Sequence, residues 1–321
     1  MITYTLSLMR IALLLVVFSL SDAAACLWDR DTLRDEITSK TSAYDLIVGQ
    51  VAHHGAAYYE KRVESLGQKV SLDMGEKQDL AVAYIRLGDF VKGEEILREL
   101  YQSHPDEYSV NSNLAILYKK KGNYATAYSY MKRALEIKPE GHMGLGDWYL
   151  RRIGYDKVLL EKPIPKVNFL GEKYEDGQWN RTQKLKFDAE KQKRARYLTQ
   201  LIFNDREFAD AYLVLGDLLK EIGDKNLALR AYMRAKLLKH PNRKVVVARI
   251  DSVIQQFKLT KGARGKQDSE IIKFKKELEG AAEWRRDFEK AENELVNLTH
   301  FPSLAETESK MNSKRFYPIG K

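Results

Sequence analysis

A repeat of 34 residues is the sequence feature that most constrains how this chain can fold. The segment LAVAYIRLGDFVKGEEILRELYQSHP (80–105) aligns without a gap with LAILYKKKGNYATAYSYMKRALEIKP (114–139). A third copy, LGDLLKEIGDKNLALRAYMRAKLLKHP (215–241), keeps the pattern of glycine, alanine and aromatic positions. Repeats of about 20–50 residues indicate arrays in which each unit buries its apolar face against the next unit. We therefore expect an all-α stack of helical hairpins.

Small residues mark the places where the helices of each copy cross and end. A small residue in the first helix lets a second helix pack closely, and a glycine follows where the first helix must end, because glycine readily adopts the left-handed conformation. A proline closes the second helix in two copies. These residues are Ala81, Ala115 and Gly216 at the crossings, Gly88, Gly122 and Gly223 at the helix ends, and Pro105 and Pro139 at closure.

On these residues the chain resembles the tetratricopeptide-repeat (TPR) family. The resemblance implies an all-α superhelix, or solenoid, whose first helices line a concave groove that holds a protein or peptide ligand. By resemblance, the groove candidates are Arg86, Asn113, Lys119 and Lys120. Asn113 stands where the family often uses an asparagine to bond a bound peptide's backbone. The three cations would favour an acidic ligand, and the alternative is that they are ordinary solvated charges.

A further binding device of the family is not expected in this chain. Some members hold a C-terminal carboxylate with a lysine and an asparagine, where this chain has Gln78 and Val82.

The remaining segments are assigned by composition and periodicity. Long loops inside compact domains are often functional, although residues 155–187 could equally be a tolerated surface insertion. The amphipathic stretch within 269–298 either folds back onto the repeats or offers a coiled-coil face to a partner. The expected order is a signal peptide (1–25), an N-terminal helical segment (26–73), two repeats (74–139), a repeat split by an insertion at 155–187 (140–207), the last repeat with a capping helix (208–258), a linker and long amphipathic helix (259–298), and a disordered tail (299–321).

The N-terminus indicates export. An apolar run at 11–20 follows Arg10 and is too short to cross a membrane, whereas it suits a secretory signal peptide. Cys26, the single cysteine, directly follows three alanines, and this placement resembles the lipobox of bacterial lipoproteins, except that Ala23 replaces the usual leucine. The resemblance implies lipid attachment at Cys26. The alternatives are cleavage that leaves a free thiol and an uncleaved N-terminal anchor.

The expected location is periplasmic, exported and membrane-anchored. Leu27 follows the cysteine, which in lipoproteins favours the outer membrane. The segments CLWDRDTL and DLIVGQVAHHGAAYYEKR also resemble a group of exported TPR proteins from environmental bacteria.

Enzymatic motifs are largely absent. Adjacent His53 and His54 would point about 100° apart on a helix, so they cannot share a metal as an i, i+4 pair would. Asp29 and Asp31 are better explained as solvated or helix-capping residues. We therefore predict no enzyme, and no catalytic residue, cofactor or metal site. The alternative is a catalytic site in the 155–187 insertion with Asp29, Asp31 or the histidine pair.

The net charge of +9 comes from a surface on which basic and acidic residues alternate. Such mixing is typical of solvated helices with local ion pairs, so no nucleic-acid partner is expected. The sequence favours an exported scaffold that binds a protein or peptide at the bacterial cell envelope. A structural subunit that oligomerises through the 269–298 helix is the alternative.

Overall fold

The computed structural model describes residues 41–141, 144–174, 189–258, 266–298 and 301–311, and within these ranges the chain forms thirteen helices and no strand. The all-α architecture of consecutive helical hairpins is therefore confirmed. The helices are α1 (Ala43–Val48), α2 (Ala56–Gly67), α3 (Met74–Arg86), α4 (Phe90–Ser103), α5 (Tyr108–Lys120), α6 (Tyr124–Ile137), α7 (Gly146–Glu161), α8 (Ala189–Asn204), α9 (Ala209–Glu221), α10 (Lys225–Leu237), α11 (Arg243–Lys258), α12 (Lys266–Val296) and α13 (Leu304–Lys310).

The same two-residue device turns the chain in all three repeats. A glycine in the left-handed region ends the first helix, and the next residue caps the second helix by accepting a hydrogen bond from the backbone N–H three positions later. The glycines are Gly88 (φ 86°), Gly122 (φ 76°) and Gly223 (φ 92°), and the caps are Asp89, Asn123 and Asp224.

Close packing at the helix crossings explains the small residues of the repeat. A Cβ atom at Gly216 would lie 2.4 Å from Cε1 of Tyr232, whose buried ring fills the space between α9 and α10. The corresponding alanines of the first two repeats, Ala81 and Ala115, are fully buried. The Tyr232 hydroxyl donates to Asp217 at 2.7 Å, so the ring is held by packing and by one polar contact.

The split repeat differs from the expectation at its first helix. We expected a loop from residue 155, but α7 continues to Glu161 because Tyr155 still packs into the core. Pro163 follows two residues beyond Glu161, where the preceding residue is forced away from the helical region. The second helix, α8, begins at Ala189, and residues 175–188, which include the rest of the insertion, lie outside the described part.

A buried polar network fastens the first half of the insertion to the last repeat. Asp210 accepts a hydrogen bond from the Phe169 backbone N–H at 2.6 Å and from the Tyr174 hydroxyl at 2.6 Å. His240 Nε2 lies 2.8 Å from the same carboxylate, and His240 Nδ1 accepts the Asn242 backbone N–H, so the proton of this imidazole is on Nε2. The described half of the insertion is therefore an ordered part of the core.

The long helix α12 folds back across the array. It packs against α11 at one end of the repeats and against α1, α2 and α13 at the other. Its apolar stripe, which includes Phe274, Ala281 and Phe288, is buried. Arg285, which interrupts that stripe in the sequence, donates to the backbone carbonyl of His53 at 2.7 Å.

The C-terminal segment also differs from the expectation of a disordered tail. Residues 304–310 form α13, which begins with a capping box between Ser303 and Glu306. Leu304 and Thr307 are buried, and the Phe301 ring packs edge-on against Tyr58. The apolar residues just after α12 pack against α2 and α12. Composition alone did not indicate these contacts. Residues 312–321 lie outside the described part.

Candidate protein-binding site

The predicted groove positions lie on helices whose inner face is covered. An array with an open groove would leave one face of each first helix in solvent, but α5 is buried at every position from Tyr108 to Tyr118. The equivalent positions of the neighbouring first helices, Val82 on α3 and Leu213 on α9, are also fully buried. These positions of the described first helices are therefore covered by the protein itself.

The N-terminal segment 41–55 contributes to this covering. Leu46, Ile47 and Val48 are buried, and α1 packs against α8, α10 and α12. The Tyr212 hydroxyl on α9 donates to the Leu46 carbonyl at 3.2 Å. Val48 belongs to the same apolar cluster as Val82, so the chain's own N-terminal segment fills space inside the array.

Arg86, Lys119 and Lys120 occupy the C-terminal ends of α3 and α5. The Lys119 ammonium lies 2.6 Å from Asp205, in the loop between α8 and α9. Asp205 also accepts from Arg152 at 3.1 Å. Burial raises the pKa of Asp205, but the charges of Lys119 and Arg152 outweigh this and hold the pKa well below its usual range. Lys119 therefore has a structural partner already.

Lys120 and Arg86 lie in a region of positive potential. Burial lowers the pKa of Lys120, and the charges of Arg86 and Lys119 lower it further. The Arg86 guanidinium lies 6.0 Å from the centre of the Tyr59 ring. Arg206 belongs to the same group, because burial and then the charges of Arg86 and Arg285 lower its pKa to about 10. These cations repel one another, and an acidic group bound beside them would reduce this repulsion.

Asn113 is a buried amide with unused hydrogen-bonding capacity. Its side chain lies on the same face of α5 as Lys120, two turns earlier, and the residue is 1% exposed. Neither Oδ1 nor Nδ2 has a hydrogen-bond partner among the described residues. A buried polar group without a hydrogen bond lowers the stability of the fold by about 1–3 kcal/mol. A polar ligand that forms hydrogen bonds with the Asn113 amide would remove this cost.

Comparison with protein families matches the Tetratricopeptide repeat model at residues 108–140 and 209–239. These two regions coincide with the α5–α6 and α9–α10 hairpins. The chain is a TPR protein. Such repeats generally act as non-catalytic scaffolds that bind proteins, and the matched hairpins here supply Asn113, Lys119 and Lys120 directly.

This TPR protein is also similar to the Sol locus transcriptional repressor of Clostridium acetobutylicum. The two are 27% identical over 106 residues, which cover 31% of this chain and 33% of the repressor. The chain thus spans about a third of the length of that relative.

The other sequence candidates of the TPR protein are dispersed. Cys26, Asp29 and Asp31 lie outside the described residues. The His54 ring stacks on Tyr58 at 3.6 Å and its Nδ1 lies 2.7 Å from Glu292 of α12, so it joins the N-terminal segment to the C-terminal helix. No cluster of metal-ligating side chains and no helix able to span a bilayer occur in the part of the chain that the structure describes.

Sequence reasoning missed Arg152, Asp205 and Arg206, which set the charge around the candidate residues. Asp205 and Arg206 lie in the loop before α9, outside the repeat pattern used to choose groove positions. The NDREF sequence of that loop carries no signal of its own. Only the fold brings the loop against the ends of α3 and α5.

Proposed function

We propose that this TPR protein is an exported scaffold that binds an acidic segment of a protein partner at the bacterial cell envelope. The repeats support a protein-binding role, and the apolar run followed by three alanines and Cys26 supports export and lipid anchoring. Binding takes place at the edge of the covered inner face, around Arg86, Lys119 and Lys120.

One observation supports the proposal that the partner is acidic. Arg86, Lys120 and Arg206 converge on one region, whereas Asp205, the carboxylate beside them, is already paired with Lys119 and Arg152. Clustered cations raise the local concentration of acidic ligands and speed their association. Asn113 would add a backbone contact where a ligand displaces part of the covering segment.

The charge-reversed variant Arg86→Glu/Lys120→Glu tests the site. We expect recovery of partners from envelope extract by the mature full-length protein to fall by at least about tenfold, because like charges at an interface cost several kcal/mol. Lys275→Glu/Lys276→Glu is the matched control, since it makes the same charge change on an exposed face of α12. Equal recovery by both variants, each with wild-type circular dichroism, would show that the cations at the edge of the inner face are not the binding site.

Mass spectrometry of the mature N-terminus tests anchoring. We expect a diacylglycerol-modified Cys26 as the first residue, and the Cys26→Ser variant to accumulate without lipid and to leave the membrane fraction. A mature N-terminus that begins at an unmodified Cys26 in the wild-type protein would contradict lipid anchoring while leaving export intact.

Two other roles receive less support. The apolar stripe of α12, on which an oligomeric subunit would depend, is buried inside the chain. The similarity to a transcriptional repressor spans a third of that protein, so it does not support a DNA-binding proposal.

A further inference from the structure

A surface of alternating lysine and aliphatic side chains lies at the end of α7 and in the first half of the insertion. Leu160 is 70% exposed, Ile164 is 68% exposed and Val167 is 37% exposed. Lys162 and Lys166 lie between them in the sequence and are also exposed. Because consecutive Cα atoms are only about 3.8 Å apart, these side chains occupy one limited region of the protein surface.

A tight turn adds a third lysine to this region. Val167 and Lys173 form an antiparallel bridge, so their side chains lie on the same face of the turn. The Asn168 side-chain oxygen accepts the backbone N–H groups of Leu170 and Glu172 at 2.9 and 3.0 Å, which fixes the turn. Lys173 is exposed. The insertion surface is defined as Leu160, Lys162, Ile164, Lys166, Val167 and Lys173.

The backbone that carries the insertion surface is fixed to the folded core. The Asn242 side chain donates to the Pro165 carbonyl at 2.9 Å, and the Phe169 ring is buried. The Arg194 guanidinium forms two hydrogen bonds of 2.6 Å with the Glu172 carboxylate. The aliphatic side chains are therefore held in solvent by an anchored segment. Grouped apolar side chains in such a position, rimmed by polar residues, mark sites of interaction with proteins or membranes.

The insertion surface carries an excess of positive charge. Lys162, Lys166 and Lys173 form no ion pair with any residue that the structure describes. Glu172, the carboxylate within the turn, is engaged by the α8 guanidinium, whose hydrogen bonds hold its pKa below the usual value. Between residues 160 and 167 the sequence contains one carboxylate, Glu161. Three lysines thus outnumber the acidic groups beside them, so an anionic surface would complement this region.

The residue types favour a membrane over a protein as the occupant. Protein interfaces are enriched in aromatic residues and arginine and depleted in lysine, whereas the insertion surface consists of lysine and aliphatic residues. The aromatic residues of the segment are used inside the fold. The Phe169 ring packs edge-on against Trp148, and the Tyr174 hydroxyl donates to buried Asp210. Lysines beside aliphatic side chains suit the boundary of an anionic bilayer, where the apolar groups enter the headgroup region.

We propose that the insertion surface binds the surface of an anionic lipid bilayer. Leu160, Ile164 and Val167 enter the headgroup region, and the three lysines contact lipid phosphates. Each lysine beside an anionic membrane tightens binding about fivefold, so the lysines supply most of the affinity. This interaction depends neither on lipid attachment at Cys26 nor on the acidic partner proposed above.

Co-sedimentation with lipid vesicles tests the proposal. The mature full-length protein carries Cys26→Ser, so that no acyl chain contributes to binding. We expect it to bind vesicles made of equal parts phosphatidylcholine and phosphatidylglycerol. Binding to pure phosphatidylcholine should be at least about tenfold weaker, because the lysines find no net negative charge there. Added salt should also weaken binding to the anionic vesicles.

Neutralising two lysines tests the charge of the surface. Lys162→Gln/Lys166→Gln should weaken binding to the anionic vesicles about twentyfold. Lys275→Gln/Lys276→Gln is the matched control, because it makes the same charge change at exposed positions of α12. An equal loss in both variants would show that the net charge of the whole chain attracts the vesicles, and this result would overturn the proposal.

Changing one aliphatic residue tests the apolar contribution. Ile164→Ser should weaken vesicle binding about fivefold, because less apolar area enters the bilayer. Val91→Ser is the control, since Val91 is 76% exposed on α4, away from the insertion surface, and its binding should equal that of the parent protein. Ile164→Trp should tighten binding, because tryptophan prefers the headgroup region. A gain of binding with an unchanged Tm cannot come from misfolding.

Two further results would overturn the proposal. One is the absence of binding to the anionic vesicles by the parent protein. The other is loss of a protein partner from envelope extract by Lys162→Gln/Lys166→Gln while its vesicle binding stays unchanged, which would assign the surface to an acidic protein. Vesicle binding without any partner recovery would contradict the scaffold function alone, so the two proposals fail separately.

Discussion

Replacing Arg230 with alanine is expected to lower the free energy of unfolding by about 3–5 kcal/mol, because it leaves buried carboxylates without their cation. Arg230 on α10 donates from Nε and Nη2 to the two oxygens of Glu277, at 2.7 and 2.8 Å. Its Nη1 donates to Glu270 at 2.9 Å. All three side chains are buried between α10 and α12, so solvent cannot replace the lost contacts.

The protonation of this ion cluster supports the size of the effect. Burial lowers the pKa of Arg230, but the hydrogen bonds and charges of Glu277 and Glu270 outweigh it and leave the pKa above its usual value. Burial likewise raises the pKa of Glu270, while Lys273 and Arg230 bring it below its usual value. Both groups are therefore charged at neutral pH, and removing one of them leaves a buried charge without its counterion.

Chemical denaturation monitored by circular dichroism measures the loss, and hydrogen exchange locates it. Amides of α12 should exchange faster than those of α5 in the Arg230→Ala variant, since Arg230 joins α12 to the last repeat. Lys236→Ala, at an exposed position of the same helix, should stay within about 0.5 kcal/mol of wild type. The double variant Arg230→Leu/Glu277→Leu should recover part of the loss. An Arg230→Ala protein as stable as the Lys236→Ala control would contradict the assigned role of the cluster.

Replacing Asp210 with alanine is the second large effect that we expect, at about 3–5 kcal/mol. The substitution leaves the Phe169 N–H, the Tyr174 hydroxyl and the His240 Nε2–H without their shared acceptor. Each buried donor that loses its partner costs about 1–3 kcal/mol, and partial hydration after local opening keeps the sum below the maximum. Burial and the charge of Asp210 raise the pKa of Tyr174, so this hydroxyl stays protonated as a donor.

Limited proteolysis distinguishes local from global loss in this variant. We expect cleavage within 162–174 to become fast before the repeats unfold, because Asp210 accepts buried hydrogen bonds from two residues of this segment, Phe169 and Tyr174. Asp224→Ala removes an exposed helix cap and should cost only about 1 kcal/mol without exposing the insertion. Wild-type resistance of the insertion in Asp210→Ala would show that apolar packing by Phe169 is sufficient to hold it.

The helical hairpins follow from local sequence because their determinants lie within one repeat. Gly88 and Asp89, and the equivalent pairs of the other copies, fix the turn through the conformation of glycine and a cap three residues away. The 34-residue spacing then predicts how neighbouring hairpins stack. The C-terminal end of α7 could not be predicted from the sequence, because the burial of Tyr155 depends on contacts with other helices.

The candidate site could be predicted only in part, for a related reason. Family resemblance selected Arg86, Lys119 and Lys120, and these residues do lie near one another at the edge of the inner face. Their surroundings come from outside the repeats. Arg206 and Asp205 belong to a loop, and His53 belongs to the N-terminal segment. Periodicity within a helix carries no information about which distant loop will face it.

The all-α repeat architecture, the turns and the helix-crossing residues can be read from the amino-acid sequence, because these features depend on interactions within about 34 residues. The covering of the inner face, the position of α12 across the array and the convergence of Arg86 and Arg206 on one cavity depend on tertiary contacts. Those features require contacts such as that between His54 and Glu292, which are 238 residues apart. Burial changes the cost of a charge or an amide, and burial is a property of the packed chain as a whole.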